Sequence, residues 1–347
     1  MPPSVQASAA LRPSITLLQM LKQDVTSHST LVTEPELSAS FWEQALLNPA
    51  RTSFSQPGKG FRSSLVNLGW RIAGGEQPAL PELAIILEAL HGGSLIVDDI
   101  EDNSSLRRGR PALHLTHGLP LALNTGNWLY FWAVSLIQRL GLSPGIELEL
   151  FHTLSTTLLN CHSGQALDLS VCATTLKQAD FPSVVTVISG LKTGRLMALA
   201  ASMGAMAAGG SATLISSLAM FGQQLGVALQ MLDDLSNLGE HVEPAKRYED
   251  LRNNRPSWVW AWVSEQVGAE HFARLQEQCR DVVSGADPAA LAEELLRHVS
   301  AAGEECINQS LDLAYQKLLD IPTHQALKYE LIREFARIKV GYGIFNG

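Results

Sequence analysis

The sequence predicts an all-α fold: a large single-domain helical bundle around one deep central cavity. Three observations support this prediction. From about residue 36 onward, apolar residues recur at intervals of three and four, the spacing of one helix face. We find no clean period-two stretch bounded by hairpin turns, which argues against a sheet. Hydrophobic residues make up 46% and charged residues 17% of the 347 residues, so a large core can form.

The longest apolar-periodic segments give the order of the main predicted helices, which cover residues 82–102, 147–169, 184–208 and 214–238. Polar or Gly/Pro-rich breaks fall at 48–60, 73–81, 142–145, 207–212 and 239–257. The last break is the longest, and loops of that length often act as lids. Residues 1–30 are rich in Ser, Thr and Pro, so we expect a flexible N-terminal segment before one domain over 31–347.

The composition argues against several classes of protein. A net charge of −9 disfavours nucleic acid as a partner. The most apolar short run, residues 128–137, is about half the length that a membrane span needs, so no transmembrane segment is expected. The start of the chain lacks the pattern of a signal peptide. Four cysteines without C-x-x-C spacing argue against structural zinc and fit a reduced, cytoplasmic setting.

Two acidic clusters follow apolar helical runs. Asp98 and Asp102 are four residues apart on one helix face, with Asp99 beside them. Such carboxylates repel unless solvent or a cation relieves them, and a solvated helix end is the simple alternative. The second cluster, Asp233 and Asp234, follows Gln230 in "QMLDDLSN". Two acidic walls without His or Cys favour Mg²⁺ and a polyanionic ligand, because Mg²⁺ bridges carboxylates and phosphates.

Basic residues accompany these acids in two separate sets. Arg107 and Arg108 follow the first cluster, and guanidinium groups match phosphate oxygens. Lys59 and Arg62 lie together in "GKGFR". Lys192 lies within an apolar helix, where a buried ammonium needs an anionic partner. Two sets of cations predict two bound diphosphates.

In this order along the chain, the motifs resemble those of the trans-isoprenyl diphosphate synthases, the polyprenyl synthetase family. The resemblance runs from "GKGFR" through "DDIEDNSSLRRGRP", "GQALDL", "LKTGRL" and "GVALQMLDD", and is greatest to the geranylgeranyl diphosphate synthases. It implies the isoprenoid synthase fold, several Mg²⁺ ions, a homodimer, and condensation of isopentenyl diphosphate with an allylic diphosphate. Asn237 departs from the pattern, as do Arg255 in place of a lysine and a residue missing before Asp250.

The resemblance also implies roles for individual residues. Asp98 and Asp102 would bind metal, with Asp99 in a supporting role. Asp233 would bind metal from the second cluster, with Asp234 in a supporting role. The resemblance implies that Arg107 and Lys192 bind the allylic diphosphate, and that isopentenyl diphosphate is bound by Lys59, Arg62, His91 and Arg108. Gln230 and Thr193 would line the cation site. Lys246 would be the lysine of the family's lysine-bearing loop. A lone histidine on an apolar helix is usually a core residue, but His91 shares the stripe of Asp98. Gln165 and Asp168 match a family motif, but a structural role in the bundle is as good an interpretation as a functional one.

Two other functions remain open. A class I terpene cyclase, or a squalene-type synthase, would use the same acidic walls. The cyclase needs only one diphosphate site, so the second basic set argues against it. A non-catalytic partner subunit of another synthase is the alternative of a different class, and it would have no need of two intact metal clusters.

The residues before Asp98 bear on product length. Gly93 and Ser94 lie about one helical turn below the predicted metal site. By the resemblance, members that stop at the fifteen-carbon product tend to carry an aromatic ring there. Small side chains leave the cavity open at this level. The larger side chains of Leu90 and then Leu87, further along the same helix, would narrow it. We therefore expect geranylgeranyl diphosphate, with a longer product as the main alternative.

Overall fold

Helices form nearly all of the computed structural model, which describes residues 13–28, 38–55, 58–76, 79–239 and 246–342. Within these ranges the only strands are β1 (Leu106–Arg107) and β2 (Arg110–Pro111), which pair antiparallel. The predicted all-α fold is confirmed. The helices are α1 Pro13–His28, α2 Ala39–Trp42, α3 Asn48–Ser53, α4 Phe61–Ile72, α5 Pro81–Glu101, α6 Leu113–His117, α7 Leu119–Ser135, α8 Pro144–Ser170, α9 Phe181–Ser189, α10 Arg195–Ala207, α11 Ala212–Asn237, α12 Glu249–Arg252, α13 Trp258–Gln266, α14 Ala269–Val283, α15 Ala289–Leu319 and α16 Gln325–Gly341.

The four long predicted helices correspond to α5, α8, α9–α10 and α11. The third of these is not uniform, because a π-helical turn, Gly190–Gly194, separates α9 from α10. A further π-helical turn, Glu43–Leu47, precedes α3. Single π-helical turns often occur at functional sites. The turn at Gly190–Gly194 contains two of the predicted site residues.

The start and end of α5 follow from its local sequence. Pro81 occupies the first turn, where its missing N–H costs no helical hydrogen bond. The helix ends before Asn103, which has a positive φ of 52°. In the hairpin that follows, Arg108 and Gly109 both have positive φ, as a tight two-residue turn between antiparallel strands requires. This turn brings Arg107 back toward the acids of α5.

Close helix packing in the core depends on glycines at crossing points. A Cβ on Gly204 of α10 would lie 1.9 Å from the carbonyl oxygen of Val66 in α4. A Cβ on Gly222 of α11 would lie 2.3 Å from the carbonyl oxygen of Met197 in α10. Larger side chains would therefore force these helices apart. The glycines fix the distances between the helices that carry the site.

The N-terminal prediction needs correction. Residues 13–28 form α1, and Leu17, Leu21 and Val25 of this helix are buried in the core. The indole of Trp132 donates to Asp24, with 2.7 Å between Nε1 and Oδ2. Apolar spacing within the Ser/Thr-rich stretch explains the packing, so residue 30 does not separate a flexible segment from the bundle. The rest of that segment, residues 1–12 and 29–30, lies outside the described residues.

Within the described ranges, two segments are long and apolar enough, by length and composition, to cross a membrane: Gln178–Ala207 and Ala212–Asn237. About half of each apolar window is buried inside the protein, 50% and 44% respectively. Both segments pack against neighbouring helices of the bundle. The predicted lid, residues 239–257, contains α12; its residues 240–245 lie outside the described ranges.

Candidate active site

The acids of α5 and α11 line one cavity of about 340 Å³. Asp98 comes from α5 and Asp102 directly follows that helix, while Asp233 and Asp234 come from α11. The two acidic clusters therefore face a common space, as the sequence predicted. The remaining lining comes from helices α4, α7, α8, α9 and α10, from β1, from the π-helical turn, and from the segment 246–257 and Tyr342.

Asp98 is surrounded by donors. Its carboxylate lies 3.3 Å from Lys192 Nζ and 3.3 Å from Arg107 Nη2. The amide of Gln165 also donates to it, at 3.3 Å. Desolvation would raise the pKa of Asp98, but the charges of Lys192 and Arg107 outweigh it and lower that pKa. Asp98 is therefore ionised and already paired.

Asp99 does not line this cavity, and its predicted role as a supporting metal ligand needs correction. The residue is 3% exposed, and both of its oxygens accept hydrogen bonds from Arg107, the shortest at 2.5 Å. Lys246 Nζ lies 3.7 Å from the same carboxylate. The next position on a helix points about 100° away from its neighbour. Asp99 thus anchors the arginine and the lysine instead of facing the acids.

Asp102 pairs with the arginine that replaces the family's lysine. Arg255 Nη2 lies 2.7 Å from Asp102 Oδ1, and Arg255 Nη1 donates to the backbone oxygen of Asp168 at 3.1 Å. Burial and the nearby Asp98 charge still raise the pKa of Asp102 to about 6. Arg255 reaches the cavity, and so does Lys246.

Lys192 joins two helices through its ammonium group. It lies 2.8 Å from Asp168 Oδ2 of α8, in addition to its contact with Asp98. Burial lowers the pKa of Lys192, but the charges of Asp98 and Asp168 more than reverse this, so the ammonium stays protonated. The anionic partner that the sequence required is therefore present. Asp168 and Gln165, left undecided from sequence, both line the cavity.

Asp234 has structural partners that the sequence did not reveal. It is buried, accepts the backbone N–H of Trp258 at 2.8 Å, and accepts the amide of Gln230 at 2.8 Å. Trp258 is the first residue of α13, whose first N–H groups have no partner within the helix. Burial raises the pKa of Asp234 to about 7. Its hydrogen bonds thus tie the start of α13 to α11, and its predicted supporting role for metal stays a prediction.

Gln230 connects this acid to the π-helical turn. The hydroxyl of Thr193 donates to Gln230 Oε1 at 2.5 Å, while the amide nitrogen of Gln230 faces Asp234. Both Thr193 and Gln230 line the cavity, and their place at the cation site stays a prediction.

The end of α11 explains the Asn237 departure. Asn237 donates to the backbone oxygen of Lys246 at 3.3 Å and accepts from the backbone N–H of Asp250 at 3.4 Å. An aspartate could not donate the first of these bonds. Asp250 itself lines the cavity, and burial together with Asp234 and Asp168 raises its pKa well above the usual range. Sequence reasoning missed Asp250 because it lies in the altered loop.

The second basic set converges beside His91. Arg62 and His91 line the cavity, and Arg108 lines a smaller adjoining pocket of about 70 Å³ that His91 also borders. Burial and the charges of Arg62 and Arg108 lower the pKa of His91 well below its usual value, so the imidazole is neutral. Lys59 lies over the ring of Tyr342 at 3.7 Å. The buried Nε of Arg62 has no hydrogen-bond partner among the described residues.

The apolar end of the cavity corrects part of the chain-length prediction. Leu90 and Ser94 line the cavity, but Gly93 does not. A Cβ on Gly93 would lie 2.8 Å from the carbonyl oxygen of Gly126 in α7, so this glycine serves helix packing. The same position is 3.5 Å from the ring of Tyr130. An aromatic ring therefore does lie at this level, contributed by α7 and not by α5.

Tyr130 belongs to an aromatic pair that lines the cavity. Its ring meets the ring of His162 of α8 edge-on, with 5.2 Å between centroids. Leu158 and Leu196 extend the apolar lining next to the pair. Leu87, expected to narrow the shaft, is fully buried in the core and does not line the cavity. Helices α7 and α8 therefore supply the side chains that narrow this end.

The carboxylates that face the cavity fit Mg²⁺. Asp98, Asp102 and Asp233 offer only oxygen atoms to the common space, the ligand type that Mg²⁺ prefers. Loss of solvation raises the pKa of both Asp102 and Asp233 to about 6. A divalent cation would relieve this cost, because it stabilises the ionised carboxylates.

The polyprenyl synthetase family model matches residues 43–291. The chain belongs to that family. Among curated relatives, the geranylgeranyl pyrophosphate synthase of Eremothecium gossypii is 32% identical over 206 residues, covering 59% of this chain and 64% of the relative. That of Hypoxylon pulicicidum is 32% identical over 224 residues, covering 62% of this chain but 54% of its own length. The chain thus spans less than two thirds of these fungal relatives.

An archaeal relative is covered more fully. The geranylgeranyl diphosphate synthase of Sulfolobus acidocaldarius is 26% identical over 281 residues, which is 80% of this chain and 78% of the relative. Among solved structures, a decaprenyl diphosphate synthase from Rhodobacter capsulatus superposes with a TM-score of 0.76 at 19% identity, covering 97% of this chain and 98% of that one. At that identity the superposition establishes the fold alone.

Proposed function

We propose that this protein is a chain-elongating prenyltransferase that condenses isopentenyl diphosphate with an allylic diphosphate. One observation carries the proposal: an acid-lined cavity has one set of cations at Asp98, a second set near His91, and an apolar end. Arg107 and Lys192 contact Asp98. Arg62 and Arg108 lie close enough to His91 to lower its pKa. Two cation sets match two diphosphates, and the apolar lining matches a hydrocarbon tail.

Each group of residues has its own proposed role in the reaction. Arg107 and Lys192 hold the allylic diphosphate and stabilise the charge that develops as the carbon–oxygen bond breaks. Asp98, Asp102 and Asp233 would hold Mg²⁺, which supplies further neutralisation of the leaving diphosphate when bound. Lys59, Arg62, Arg108 and the neutral His91 orient isopentenyl diphosphate. The oxygens of Thr193 and Gln230 face the allylic carbocation, and the apolar walls exclude water that would capture it.

We expect geranylgeranyl diphosphate as the product. Ser94 and Leu90 leave an apolar space beside α5, and the Tyr130–His162 pair borders that space from α7 and α8. The relatives from Eremothecium gossypii and Sulfolobus acidocaldarius are both named as geranylgeranyl diphosphate synthases. The aromatic pair would limit the growing tail where it borders this space.

A homodimer is the proposed assembly. Helices α7 and α8 carry exposed apolar side chains at helical spacing, which are Leu119, Leu123, Phe131, Leu148, Phe151 and Leu159. Phe131 is 75% exposed and Leu159 is 71% exposed. An apolar surface of this kind, formed by neighbouring helices, fits a second copy of the chain. Residues of α7 and α8 also line the apolar end of the cavity. The partner subunit would therefore pack against the helices that form this part of the lining.

The expectation of a cytoplasmic location belongs with this proposal. The four cysteines, Cys161, Cys172, Cys279 and Cys306, are all free thiols. Free thiols and an isoprenoid diphosphate substrate accord with a reducing compartment.

Product identification tests the function. The purified protein is incubated with Mg²⁺, isopentenyl diphosphate and, in turn, five-, ten- and fifteen-carbon allylic diphosphates. Chain growth to twenty carbons is the expected result. Hydrocarbon release without growth would instead indicate the cyclase. Failure of the folded protein to turn over any primer would favour the non-catalytic partner subunit.

A further inference from the structure

Three metal-ligand side chains meet on α14 and α15, remote from the proposed chemistry. They are His271 of α14 and Glu294 and His298 of α15; one ligand atom from each lies within 4.8 Å of the others. None of the three lines the acidic cavity. We propose that this cluster, the α14–α15 site, binds a transition-metal ion, with Zn²⁺ the best fit.

The helix geometry brings the ligands together without distortion. Glu294 and His298 are four residues apart and share one face of α15. His271 approaches from the first turn of α14, and its Nε2 lies 2.9 Å from Glu294 Oε1. The rings of His271 and His298 meet edge-on with 4.9 Å between centroids. Small side-chain rotations would therefore point all three toward one ion.

A neighbouring amide orients the carboxylate. Gln278 of α14 donates from Nε2 to Glu294 Oε2 at 3.2 Å, while the other oxygen of Glu294 faces His271. Hydrogen bonds of this kind fix ligand orientation in metal sites. All three ligands are partly exposed, so an ion and its completing water molecules can reach them.

The ligand types select the metal class. Two imidazoles and one carboxylate suit Zn²⁺, as well as Cu²⁺ or Ni²⁺, and leave positions for water. Mg²⁺ is disfavoured because it prefers oxygen ligands in octahedral geometry. The cysteine pattern argued against structural zinc, but this site uses no cysteine. Its histidines come from two different helices, so no short sequence motif predicts the α14–α15 site.

A bound ion would fix α14 to α15 and strengthen the support of the cavity. Gln276 of α14 donates to the backbone oxygens of Ala173 and Leu176, at 2.7 and 2.9 Å. The backbone N–H of Ala173 in turn donates to the backbone oxygen of Asn254, next to Arg255 of the cavity lining. The expected effect is higher thermal stability of this part of the bundle.

Calorimetric titration of the full-length protein with Zn²⁺, in excess Mg²⁺ to occupy the acidic cavity, tests the proposal. The wild type is compared with His298→Ala and with a matched control, His324→Ala, whose exposed histidine lies outside the cluster. Losing a direct ligand should weaken Zn²⁺ binding at this site at least about tenfold. The control should bind as the wild type does. Equal Zn²⁺ stoichiometry and affinity in the wild type and His298→Ala would overturn the proposal.

Glu294→Gln provides a second variant that keeps the side-chain size and the contact with His271. Thermal unfolding is followed with and without Zn²⁺, again in excess Mg²⁺. Zn²⁺ should raise the Tm of the wild type and of His324→Ala by more than that of Glu294→Gln. The same rise in all three proteins would show that the ion binds elsewhere and that His271 and Glu294 form only a hydrogen-bonded pair.

Discussion

The two acidic walls of the cavity look alike in sequence but differ in their partners. On α5, Asp98, Asp99 and Asp102 each contact at least one cationic side chain. On α11, Asp234 contacts only neutral donors, an amide and a backbone N–H. Asp233 makes no ion pair within 4 Å in the described part of the chain, although Lys59 and Arg62 lie close enough to lower its pKa somewhat.

This difference separates two uses of a carboxylate. The α5 wall is largely neutralised by the protein, so its acids also position Arg107, Lys192 and Arg255. The pKa is raised to about 6 at Asp233 and to about 7 at Asp234, and that of Asp102 in the first cluster is also raised, to about 6. Because Asp233 has no ion-pair partner within 4 Å among the described residues, a bound cation would stabilise its ionised form most. We infer that α5 organises the cations and that α11 depends more strongly on bound metal.

The largest expected effect is on turnover. Asp98→Ala and Asp233→Ala should each lower kcat by at least about a thousandfold, because each removes a carboxylate proposed to hold the Mg²⁺ that neutralises the leaving diphosphate. Circular dichroism should show an unchanged helical fold. Normal product formation by both folded variants would refute the metal assignment on both walls.

The same two variants should separate in stability when metal is absent. Asp98→Ala leaves Lys192 and Arg107 with one fewer partner and should cost about 1–3 kcal/mol. Asp233→Ala breaks no ion pair in the described structure and relieves a poorly solvated charge, so its Tm in EDTA should match or exceed the wild type. Equal destabilisation of both variants would contradict the contrast between the walls.

Arg108→Ala tests the second basic set. Removing one guanidinium contact to a diphosphate should weaken isopentenyl diphosphate binding by about ten- to a hundredfold, with allylic diphosphate binding little changed. Arg274→Ala is a control, because the exposed Arg274 lies on α14 and lines neither the main cavity nor the adjoining pocket. Unchanged affinity of Arg108→Ala for isopentenyl diphosphate would contradict the two-site assignment.

Product length should respond to both sides of the apolar end. Ser94→Phe should shorten the product by filling the space beside α5, while short primers still turn over. Tyr130→Ala should lengthen it, because the ring contributed by α7 is lost. Product chromatography distinguishes these outcomes. Formation of farnesyl diphosphate alone by the wild type, or an unchanged product in Ser94→Phe, would count against the open space at Ser94.

The smallest effect concerns pH. Because the pKa of Asp234 is raised to about 7 in the folded protein, well above its unfolded value, its protonated form is favoured by folding. Its contribution to stability is present at low pH and is lost as pH rises through about 7. Relative to Asp234→Asn, the wild type should therefore lose Tm between about pH 5 and 8 in EDTA. A constant difference across this range would show that Asp234 titrates normally.

The sequence by itself determined the fold class, the two acidic clusters and the two basic sets. Helical periodicity and opposite-charge motifs are local properties, so they can be read along the chain. They also placed Asp98, Asp102, Asp233, Lys192, Arg62 and His91 at one cavity, because an apolar stripe and its polar end must face the same core.

Only the tertiary structure decided which acids pair with cations and which side chains close the cavity. The turn with positive φ at Arg108 directs Arg107 onto Asp99, and Asp234 meets the start of α13 far along the chain. Gly93 packs on α7, which brings Tyr130 to the level that α5 leaves open. The first contact depends on the conformation of a turn, and the other two join residues distant in sequence, whose partners depend on helix crossing and side-chain packing that no local pattern records.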